Sequence, residues 1–190
     1  MKHIVVVGAG PAGMMAAITA AENGAAVTLL EKMKRPGRKM MITGKGRCNV
    51  TNAADVPEII RQFKGNGAFL HSAFSAFDNQ DVMRFFEGQG VPLKVERGNR
   101  VFPQSDHALD CVDAMVHRLH ELGVTLETET AVRDVLLDGG RAIGVRTTTG
   151  AVYPADAVIL AMGGASYPGT GSSGDGYAIA RALGHTVTPI

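Results

Sequence analysis

The chain has 190 residues, of which 45% are hydrophobic and 19% are charged, and its formal net charge is +1. This is ordinary globular composition, with enough chain to bury a substantial core. The near-zero net charge excludes a general affinity for polyanions, and no stretch approaches the roughly 20 apolar residues of a membrane-spanning helix.

The N-terminus carries the strongest motif. Residues 2–7 end in an apolar, β-branched run at 4–7, which predicts a buried parallel strand, and this run leads into G-x-G-x-x-G at Gly8, Gly10 and Gly13. Gly8 would allow a tight turn, Gly10 the close approach of a pyrophosphate, and Gly13 the packing of a helix on the strand. Residues 14–23 predict that helix, whose first N–H groups would face the phosphates. The motif therefore predicts a dinucleotide site, and its central glycines disfavour an export signal.

A carboxylate follows this motif at the expected distance. Residues 25–30 predict a second buried strand, and Glu31 lies at its carboxyl end, about 20 residues past the glycines. There it can accept hydrogen bonds from ribose hydroxyls. Because an acid would repel a 2′-phosphate, NADP is disfavoured at this particular site.

The next segment is strongly basic. It contains Lys32, Lys34, Arg35, Arg38, Lys39, Lys45 and Arg47. Three interpretations are open: a wall around cofactor phosphates or an anionic substrate, a solvated loop, or a nucleic-acid patch. The position directly after the ribose-binding acid favours the first.

Residues 35–52 are longer than a usual connection in an α/β fold, which predicts a functional loop. Its glycines permit close backbone approach. Hydrogen bonds suited to a flavin's ribityl chain, phosphates or ring edge are offered by Arg47, Asn49, Thr51 and Asn52.

The middle of the chain predicts helices at residues 55–64, 68–76 and 79–87, and a short hairpin formed by residues 93–96 and 100–102. Helical spacing relates the phenylalanines Phe63, Phe69, Phe74, Phe77, Phe85 and Phe86. A hydrophobic core is the favoured interpretation, and a pocket for an apolar ring substrate is the alternative.

Residues 108–122 predict a helix whose apolar stripe comprises Leu109, Val112, Val116 and Leu119. His117 and His120 lie one turn apart on it. No cysteine or carboxylate set completes a site with them, so we expect no metal. Residues 124–127 predict a third parallel strand.

The pattern changes after residue 129. Residues 130–137, 141–147 and 151–153 predict a three-stranded antiparallel meander. Residues 157–161 form another apolar strand, which leads into a second glycine-rich turn at Gly163 and Gly164, and a last helix follows from Asp175. Together these elements predict an α/β fold of the Rossmann-like type, with a parallel sheet, helices and an antiparallel β-meander.

The two cysteines, Cys48 and Cys111, are far apart in the sequence and form no C-x-x-C motif. This disfavours a dithiol redox centre or a zinc site and predicts two reduced thiols in a cytoplasmic protein. Cys48 is a candidate nucleophile, but the sequence pairs no histidine or second cysteine with it. A packing role in the loop is therefore favoured.

Several segments together resemble a known family. They are the N-terminal fingerprint, the G-x-G-R-C-N-x-T-N element at residues 44–52, and the runs at 98–103 and 163–168. The chain resembles the HI0933-like bacterial flavoproteins, which belong to the wider glutathione-reductase-like class of FAD/NAD(P)-binding proteins. The resemblance covers essentially the whole chain, and it implies that family members are about twice as long and that this chain corresponds to their N-terminal part.

The resemblance also implies roles by position. The pyrophosphate would lie on Gly8, Gly10, Pro11, Ala12 and Gly13, and the ribose on Glu31 with Lys32 beside it. The path from phosphate to flavin would be lined by Arg38, Lys39, Gly46, Arg47, Cys48, Asn49 and Thr51. Val132 would meet adenine through its backbone, and Met162, Gly163 and Gly164 would close over the cofactor.

These observations predict one FAD-binding domain over residues 1–190, with a helical excursion at about 53–122 and the meander at about 129–153. The expected function is an FAD-dependent oxidoreductase with a small-molecule substrate and with NAD(P)H or oxygen as second partner. No catalytic acid or base can be named. The alternatives are a flavin-dependent tRNA-modifying enzyme and a non-catalytic FAD-binding module; membrane and nucleic-acid partners are not expected.

Overall fold

The computed structural model describes residues 1–189; Ile190, the last residue of the predicted domain, lies outside them. The strands are β1 His3–Val7, β2 Ala26–Leu30, β3 Thr51–Asn52, β4 Leu93–Glu96, β5 Arg100–Pro103, β6 Thr125–Glu127, β7 Val132–Asp138, β8 Arg141–Thr147, β9 Val152–Pro154 and β10 Ala157–Leu160. The α-helices are α1 Pro11–Glu22, α2 Arg38–Ile42, α3 Val56–Gln62, α4 His71–Ala76, α5 Asn79–Gly88, α6 Ala108–Glu121 and α7 Asp175–Ala182. Short 3-10 turns occupy Thr43–Gly46, Gly67–Leu70 and Pro168–Thr170.

The chain divides into two compact units. The first unit combines Met1–Lys39 with the segment from Met115 onward, and the second unit is Met40–Ala114. The predicted α/β class holds: the first unit contains a parallel sheet, and each unit contains an antiparallel three-stranded sheet. Among the described residues, no helix is long and apolar enough to cross a membrane.

The parallel sheet of the first unit has the strand order β10-β1-β2-β6. Each neighbouring pair is parallel, with Val5 opposite both Thr28 of β2 and Val158 of β10. Val5, Val6 and Leu29 have no exposed surface, as continuous apolar runs predict for strands covered on both faces. The predicted third parallel strand is β6, which pairs with β2.

The predicted meander forms the second sheet of this unit, in the order β7-β8-β9. β7 and β8 pair antiparallel with two register shifts, and β8 pairs antiparallel with β9. Val132 and Val145 of the meander share a buried cluster with Val5 and Leu30 of the parallel sheet and with Ile179 of α7. The meander is therefore packed onto the parallel sheet through a common core.

The second unit contains the antiparallel sheet β3-β5-β4. The predicted hairpin is present as β4 and β5, with Val95 opposite Val101. The interpretation of residues 35–52 as one long loop is wrong, because this segment contains α2 and ends in β3, which pairs with β5. Thr51 and Asn52 form this strand because Val101 and Arg100 present an open antiparallel edge.

Two predictions of buried faces also need correction. The phenylalanine cluster is not a common core: Phe86 is buried, but Phe63, Phe69 and Phe77 are 50%, 80% and 41% exposed. On α6, Leu109 is exposed, and the buried face is formed by Ala108, Cys111, Val112, Ala114, Met115 and Leu119. The helical period alone predicted an apolar stripe that lies about one residue away from the centre of the observed buried face of α6.

Candidate functional site

A cavity of about 250 Å³ opens in the first unit beyond the carboxyl ends of β1 and β2. Open parallel sheets bind nucleotides at this edge. The predicted residues that line the cavity are Gly8, Gly10, Pro11, Ala12, Glu31, Lys32, Arg38, Lys39, Val132, Met162 and Gly163. Gly13 and Gly164 are absent from the lining: a Cβ on Gly164 would meet the hydroxyl of Tyr177 at 3.2 Å.

The turn between β1 and α1 needs glycine for two different reasons. Gly8 has a φ of 101°, and a Cβ there would lie 2.6 Å from the carbonyl oxygen of Ala161, while a Cβ on Gly13 would overlap the carbonyl of Gly8. These two glycines let α1 pack against the strands. Gly10 has a φ of −75°, and a Cβ there would meet no atom of the described residues within 4 Å. A side chain at Gly10 would therefore enter space that is open to a ligand, and it would not disturb the packing of the protein.

The N-terminus of α1 opens at this cavity. Gly10 is the N-cap and Pro11 is the first helical residue, so the first backbone N–H groups available to a ligand are those of Ala12 and Gly13. The helix dipole places partial positive charge at the same point. The turn can therefore hold an anionic group.

Glu31 is buried, with 9% of its surface exposed. One carboxylate oxygen accepts the N–H of Ala9 at 2.7 Å, and the other accepts the N–H of Met33 at 2.8 Å. Glu31 thus fixes the glycine turn to the end of β2. Each oxygen retains a second lone pair, so the same carboxylate can still accept a hydroxyl.

Two lysines of the basic stretch have partners within the first unit. Lys32 Nζ contacts Asp175 Oδ2 at 2.6 Å and also donates to the hydroxyl of Ser173. The hydrogen bond from Lys32 holds the pKa of Asp175 below its ordinary value. Lys39 Nζ donates to the hydroxyl and the carbonyl of Ser166, at 2.8 and 3.1 Å. Lys39 thus ties the N-terminal segment to the residues just after the second glycine-rich turn, and Lys32 ties it to the start of α7.

Arg35 and Arg38 also line the cavity. Within residues 1–189, neither guanidinium forms an ion pair. Their charges are therefore available to an anion at the N-terminus of α1. The sequence predicted Arg38 as a site residue but Arg35 only as part of the wider basic stretch, although both arginines belong to the same cluster of positive charges.

The cavity has further lining residues that sequence reasoning missed. They are Ala9, Gly37, Thr130, Thr170, Gly171, Ser172 and Asp175, with the apolar Val7, Leu30 and Ala161. Asp175 could have been found from its position as the first residue of the helix after the second glycine-rich turn. Thr130 gave no such signal, because it precedes the first strand of the meander. Val132, which is 7% exposed, supplies an apolar wall.

The other predicted residues, Gly46, Arg47, Cys48, Asn49 and Thr51, belong to the second unit. Arg47 has polar partners there: its guanidinium contacts Glu96 at 2.9 Å and Asp106 at 3.2 Å, and it stacks 4.1 Å from the ring centre of Phe102. The hydrogen bond from Arg47 lowers the pKa of Glu96. Arg47 is therefore committed to an ion-pair network within its unit.

The two cysteines are neighbours in the second unit, contrary to the expectation that no second cysteine pairs with Cys48. Both are free and buried, with exposures of 1% for Cys48 and 0% for Cys111. A hydrogen bond between the thiols lowers the pKa of Cys48, and the same bond together with burial raises the pKa of Cys111. Cys48 also has a positive φ of 63°. Burial keeps both thiols away from solutes, which argues against a nucleophile in the structure as it stands.

The donor set of the cavity fits a dinucleotide. A helix N-terminus, two arginines that form no ion pair with any described residue, and the open space at Gly10 suit a pyrophosphate, while Glu31 suits a ribose and Val132 a base. His117, in contrast, is 72% exposed beside Glu121, and residues 1–189 hold no group of three or more metal-ligating side chains.

Comparison with known proteins gives a family match. A family model described as the HI0933-like protein Rossmann domain matches residues 2–190. The chain is 34% identical over 192 residues to the 3-dehydro-bile acid delta(4,6)-reductase of Clostridium scindens, covering 100% of this chain and 46% of that protein. It is 31% identical over 186 residues to the ribosomal RNA dihydrouridine synthase of Escherichia coli, covering 97% and 45%. The chain thus spans about half the length of the curated relatives it matches.

Solved structures share the fold. Sdh1 of Mycobacterium smegmatis in complex with UQ1 aligns with a TM-score of 0.68 and 22% identity, covering 96% of this chain and 39% of that one. The 3-ketosteroid-delta4-(5alpha)-dehydrogenase of Rhodococcus jostii aligns with a TM-score of 0.63 and 18% identity, covering 97% and 55%. At these identities the likeness establishes the architecture alone.

Proposed function

The chain belongs to the HI0933-like family, and from that membership we propose that it is the cofactor-binding part of an FAD-dependent oxidoreductase. The observation that carries the proposal is the cavity at the N-terminus of α1. It combines open space at Gly10, the guanidinium groups of Arg35 and Arg38, which have no ion-pair partner among residues 1–189, and a buried carboxylate at the end of β2. This set matches the adenosine and pyrophosphate half of FAD.

The roles assigned to single residues are part of this proposal. The first turn of α1 would hold the pyrophosphate, and Glu31 would accept a ribose hydroxyl while keeping its bonds to the N–H groups of Ala9 and Met33. Val132 would contact the adenine. Met162 and Gly163 would cover the cofactor. From the resemblance, the flavin side would be served by Gly46, Arg47, Cys48, Asn49 and Thr51.

FAD, when bound, supplies two-electron transfer to or from a substrate carbon. The described residues contribute binding and orientation. The N–H groups of the α1 turn and the two arginines would neutralise the phosphates, and the bonds of Lys39 and Lys32 hold Ser166 and the start of α7 against the N-terminal segment. No side chain of the cavity is proposed as a catalytic acid or base.

We propose further that the reaction is reduction of a carbon–carbon double bond conjugated to a carbonyl. The two curated relatives differ widely in substrate, a bile acid in one and ribosomal RNA in the other. Their names nevertheless describe the same bond change, because a 3-dehydro steroid with double bonds at positions 4 and 6 and the uracil ring each hold an alkene conjugated to a carbonyl. NAD(P)H is the proposed source of electrons, and the buried free thiols suit a cytoplasmic location.

Two glycine variants test the site. Gly10→Ala places its Cβ in open space at an ordinary φ, so the variant should keep its melting temperature and bind FAD at least about tenfold more weakly, since one lost contact of roughly 1.4 kcal/mol already gives that factor. Gly13→Ala is the matched control for a packing glycine, and it should unfold at lower temperature because its Cβ overlaps the carbonyl of Gly8.

FAD binding is measured by visible absorbance after reconstitution and by quenching of flavin fluorescence. Wild-type protein without flavin absorbance would contradict the proposal as a whole. Equal FAD affinity of wild type and Gly10→Ala would show that the pyrophosphate does not approach Gly10, and the site assignment would fall.

A further inference from the structure

We propose that residues 165–173, which we call the strap, form a gate on the nucleotide cavity of the first unit, and that Lys32 and Lys39 hold this gate shut. The strap lies between the second glycine-rich turn and α7, and its residues 170–172 line the cavity. This inference rests on the proposed function, for which it describes how the cofactor enters and leaves the site. Its first test needs no cofactor.

The strap is a loop whose two ends meet. The N–H of Gly174, which follows the strap, donates to the carbonyl of Gly164, which precedes it, at 3.1 Å. Within the strap, the N–H groups of Thr170, Gly171 and Ser173 donate to strap carbonyls at 2.9–3.0 Å. Surface loops of roughly 6–16 residues with such closed ends are compact units. The strap can therefore keep its shape while it moves.

Few hydrogen bonds hold the strap to the rest of the first unit. Among residues 1–189, no backbone hydrogen bond joins the strap to a residue outside it. Lys39 Nζ donates to the hydroxyl and the carbonyl of Ser166, at 2.8 and 3.1 Å, and Lys32 Nζ donates to the hydroxyl of Ser173. Ser173 in turn donates to Asp175, at the start of α7. The two lysines thus act as latches from the N-terminal segment.

The strap also has little apolar anchorage. Its one aromatic side chain, Tyr167, is 67% exposed, although the ring lies 5.6 Å from Lys39 Nζ. Ser172 is buried, but its side chain is small and polar. Segments with few buried apolar contacts open locally at a low cost in free energy. Gly163 and Gly174, on the two sides of the strap, have φ values of 73° and 84°, which favour glycine and suit hinges.

The size of the cavity requires an opening of this kind. With the strap in place, the cavity measures about 250 Å³. Sites for drug-sized ligands occupy roughly 300–1,000 Å³, and the adenosine and pyrophosphate half of FAD is itself a ligand of that size. Outward movement of the strap would admit this group, and the latches would then close the wall beside it.

A gate of this kind has a distinctive kinetic signature. Breaking the latches raises the open fraction of the protein both with and without cofactor. Association and dissociation of the cofactor should therefore both become faster, while the equilibrium affinity changes little. A strap that serves only as a binding wall would behave differently, because its loosening would speed dissociation alone.

The first test uses a thiol reporter in the full chain without cofactor. Ser172→Cys places a thiol on the buried side of the strap, and the native thiols are buried, so the rate of DTNB labelling reports opening. Ser166→Ala combined with Ser173→Ala removes the two hydroxyls that the lysines contact, and neither residue lines the cavity. In the reporter background, this pair should raise the labelling rate at least about fivefold, the factor that the net contribution of one typical hydrogen bond gives.

The matched control is Ser166→Thr combined with Ser173→Thr in the same reporter background. Threonine keeps both hydroxyls as acceptors for the lysines, so the labelling rate should stay within about twofold of the reporter alone. Far-ultraviolet circular dichroism and thermal melting verify that each variant is folded.

The second test measures FAD exchange by stopped-flow quenching of flavin fluorescence, in chains without the reporter. The alanine pair should raise the association and dissociation rate constants by the same factor, at least about fivefold, and leave Kd within about twofold of wild type. The threonine pair should match wild type in all three quantities.

Failure of this inference differs from failure of the proposed function. Equal labelling rates of the alanine and threonine pairs would overturn the gate whether or not FAD binds. Faster dissociation of FAD at an unchanged association rate would also overturn it. Absence of FAD binding by wild type, together with faster labelling of the alanine pair, would refute the proposed function and support a strap that opens on the cavity.

Discussion

Glu31→Gln should destabilise the first unit even in the absence of any ligand. The carboxylate accepts two backbone N–H groups, one on each oxygen, at 2.7 and 2.8 Å. Glutamine has one acceptor oxygen, so one of these N–H groups would face the donor side of the amide. Because Ala9 has no exposed surface, water cannot readily reach its N–H to replace the lost acceptor.

The size of the effect follows from these two bonds. A hydrogen bond to a charged group contributes roughly 1.5–3 kcal/mol, and a buried donor left without a partner costs about 1–3 kcal/mol. We expect a loss of about 3 kcal/mol in the free energy of unfolding, which corresponds to a fall of roughly 6–12 °C in Tm for a chain of this size.

The assay is thermal melting followed by far-ultraviolet circular dichroism, with urea denaturation as a second measure. Glu22→Gln is the matched control, since Glu22 lies on the exposed side of α1 in an ion pair with Arg118. Its Tm should stay close to that of wild type. If Glu31→Gln melts within about 2 °C of Glu22→Gln, then Glu31 does not anchor the glycine turn and the reasoning is refuted.

Three smaller predictions concern titration and accessibility. The hydrogen bond to Glu127 raises the pKa of Tyr153 and stabilises its neutral form, a contribution that is present below the ordinary tyrosine pKa of about 10 and lost as pH rises through the raised value. Absorbance at 295 nm should show one of the three tyrosines ionising last, and Tyr153→Phe should abolish that late phase; an unchanged late phase would disprove the assignment. Asp175→Asn should lower Tm slightly at pH 7, where the ion pair with Lys32 is intact, and the difference should vanish as pH falls through the lowered pKa of Asp175; a difference that persists in acid would argue against the pair. Both cysteines should resist a thiol reagent such as DTNB until the protein is unfolded, and rapid labelling of native protein would contradict their burial.

The first strand, helix and second strand could be predicted to within about three residues. Their sequence signals are local. An apolar run predicts a buried strand whichever strands pair with it, and the glycines are predicted from the tight turn between strand and helix. The placement of Glu31 at the end of β2 followed from the same local spacing.

The partners of the charged side chains could not be predicted in this way. Lys32 and Lys39 looked like free phosphate ligands, yet their partners Asp175 and Ser166 lie far along the chain. The spacing of apolar residues in the sequence carries no information about such a long-range pairing. The contact between the two thiols in the second unit was hidden for the same reason, because it depends on which face of α6 turns inward.

The phenylalanines of the second unit show the opposite error. Their helical spacing suggested burial, but Phe63 follows the end of the seven-residue α3 and Phe69 lies in the 3-10 turn Gly67–Leu70, so no continuous α-helical face contains both. Tertiary structure left Phe63 and Phe69 at the surface.

The parallel sheet of the first unit has a consequence for biosynthesis. β1 pairs on one side with β10, and Ile4 lies opposite Ala157. At about 5–20 residues per second, a ribosome takes roughly 8–30 s to make the chain between these partners. Until then β1 has one bare, apolar edge, and the segment that supplies the far wall of the nucleotide cavity does not yet exist. The glycine motif that is translated first therefore becomes a binding site last, and nascent chains stalled before residue 157 should be clients of chaperones that recognise exposed apolar strands.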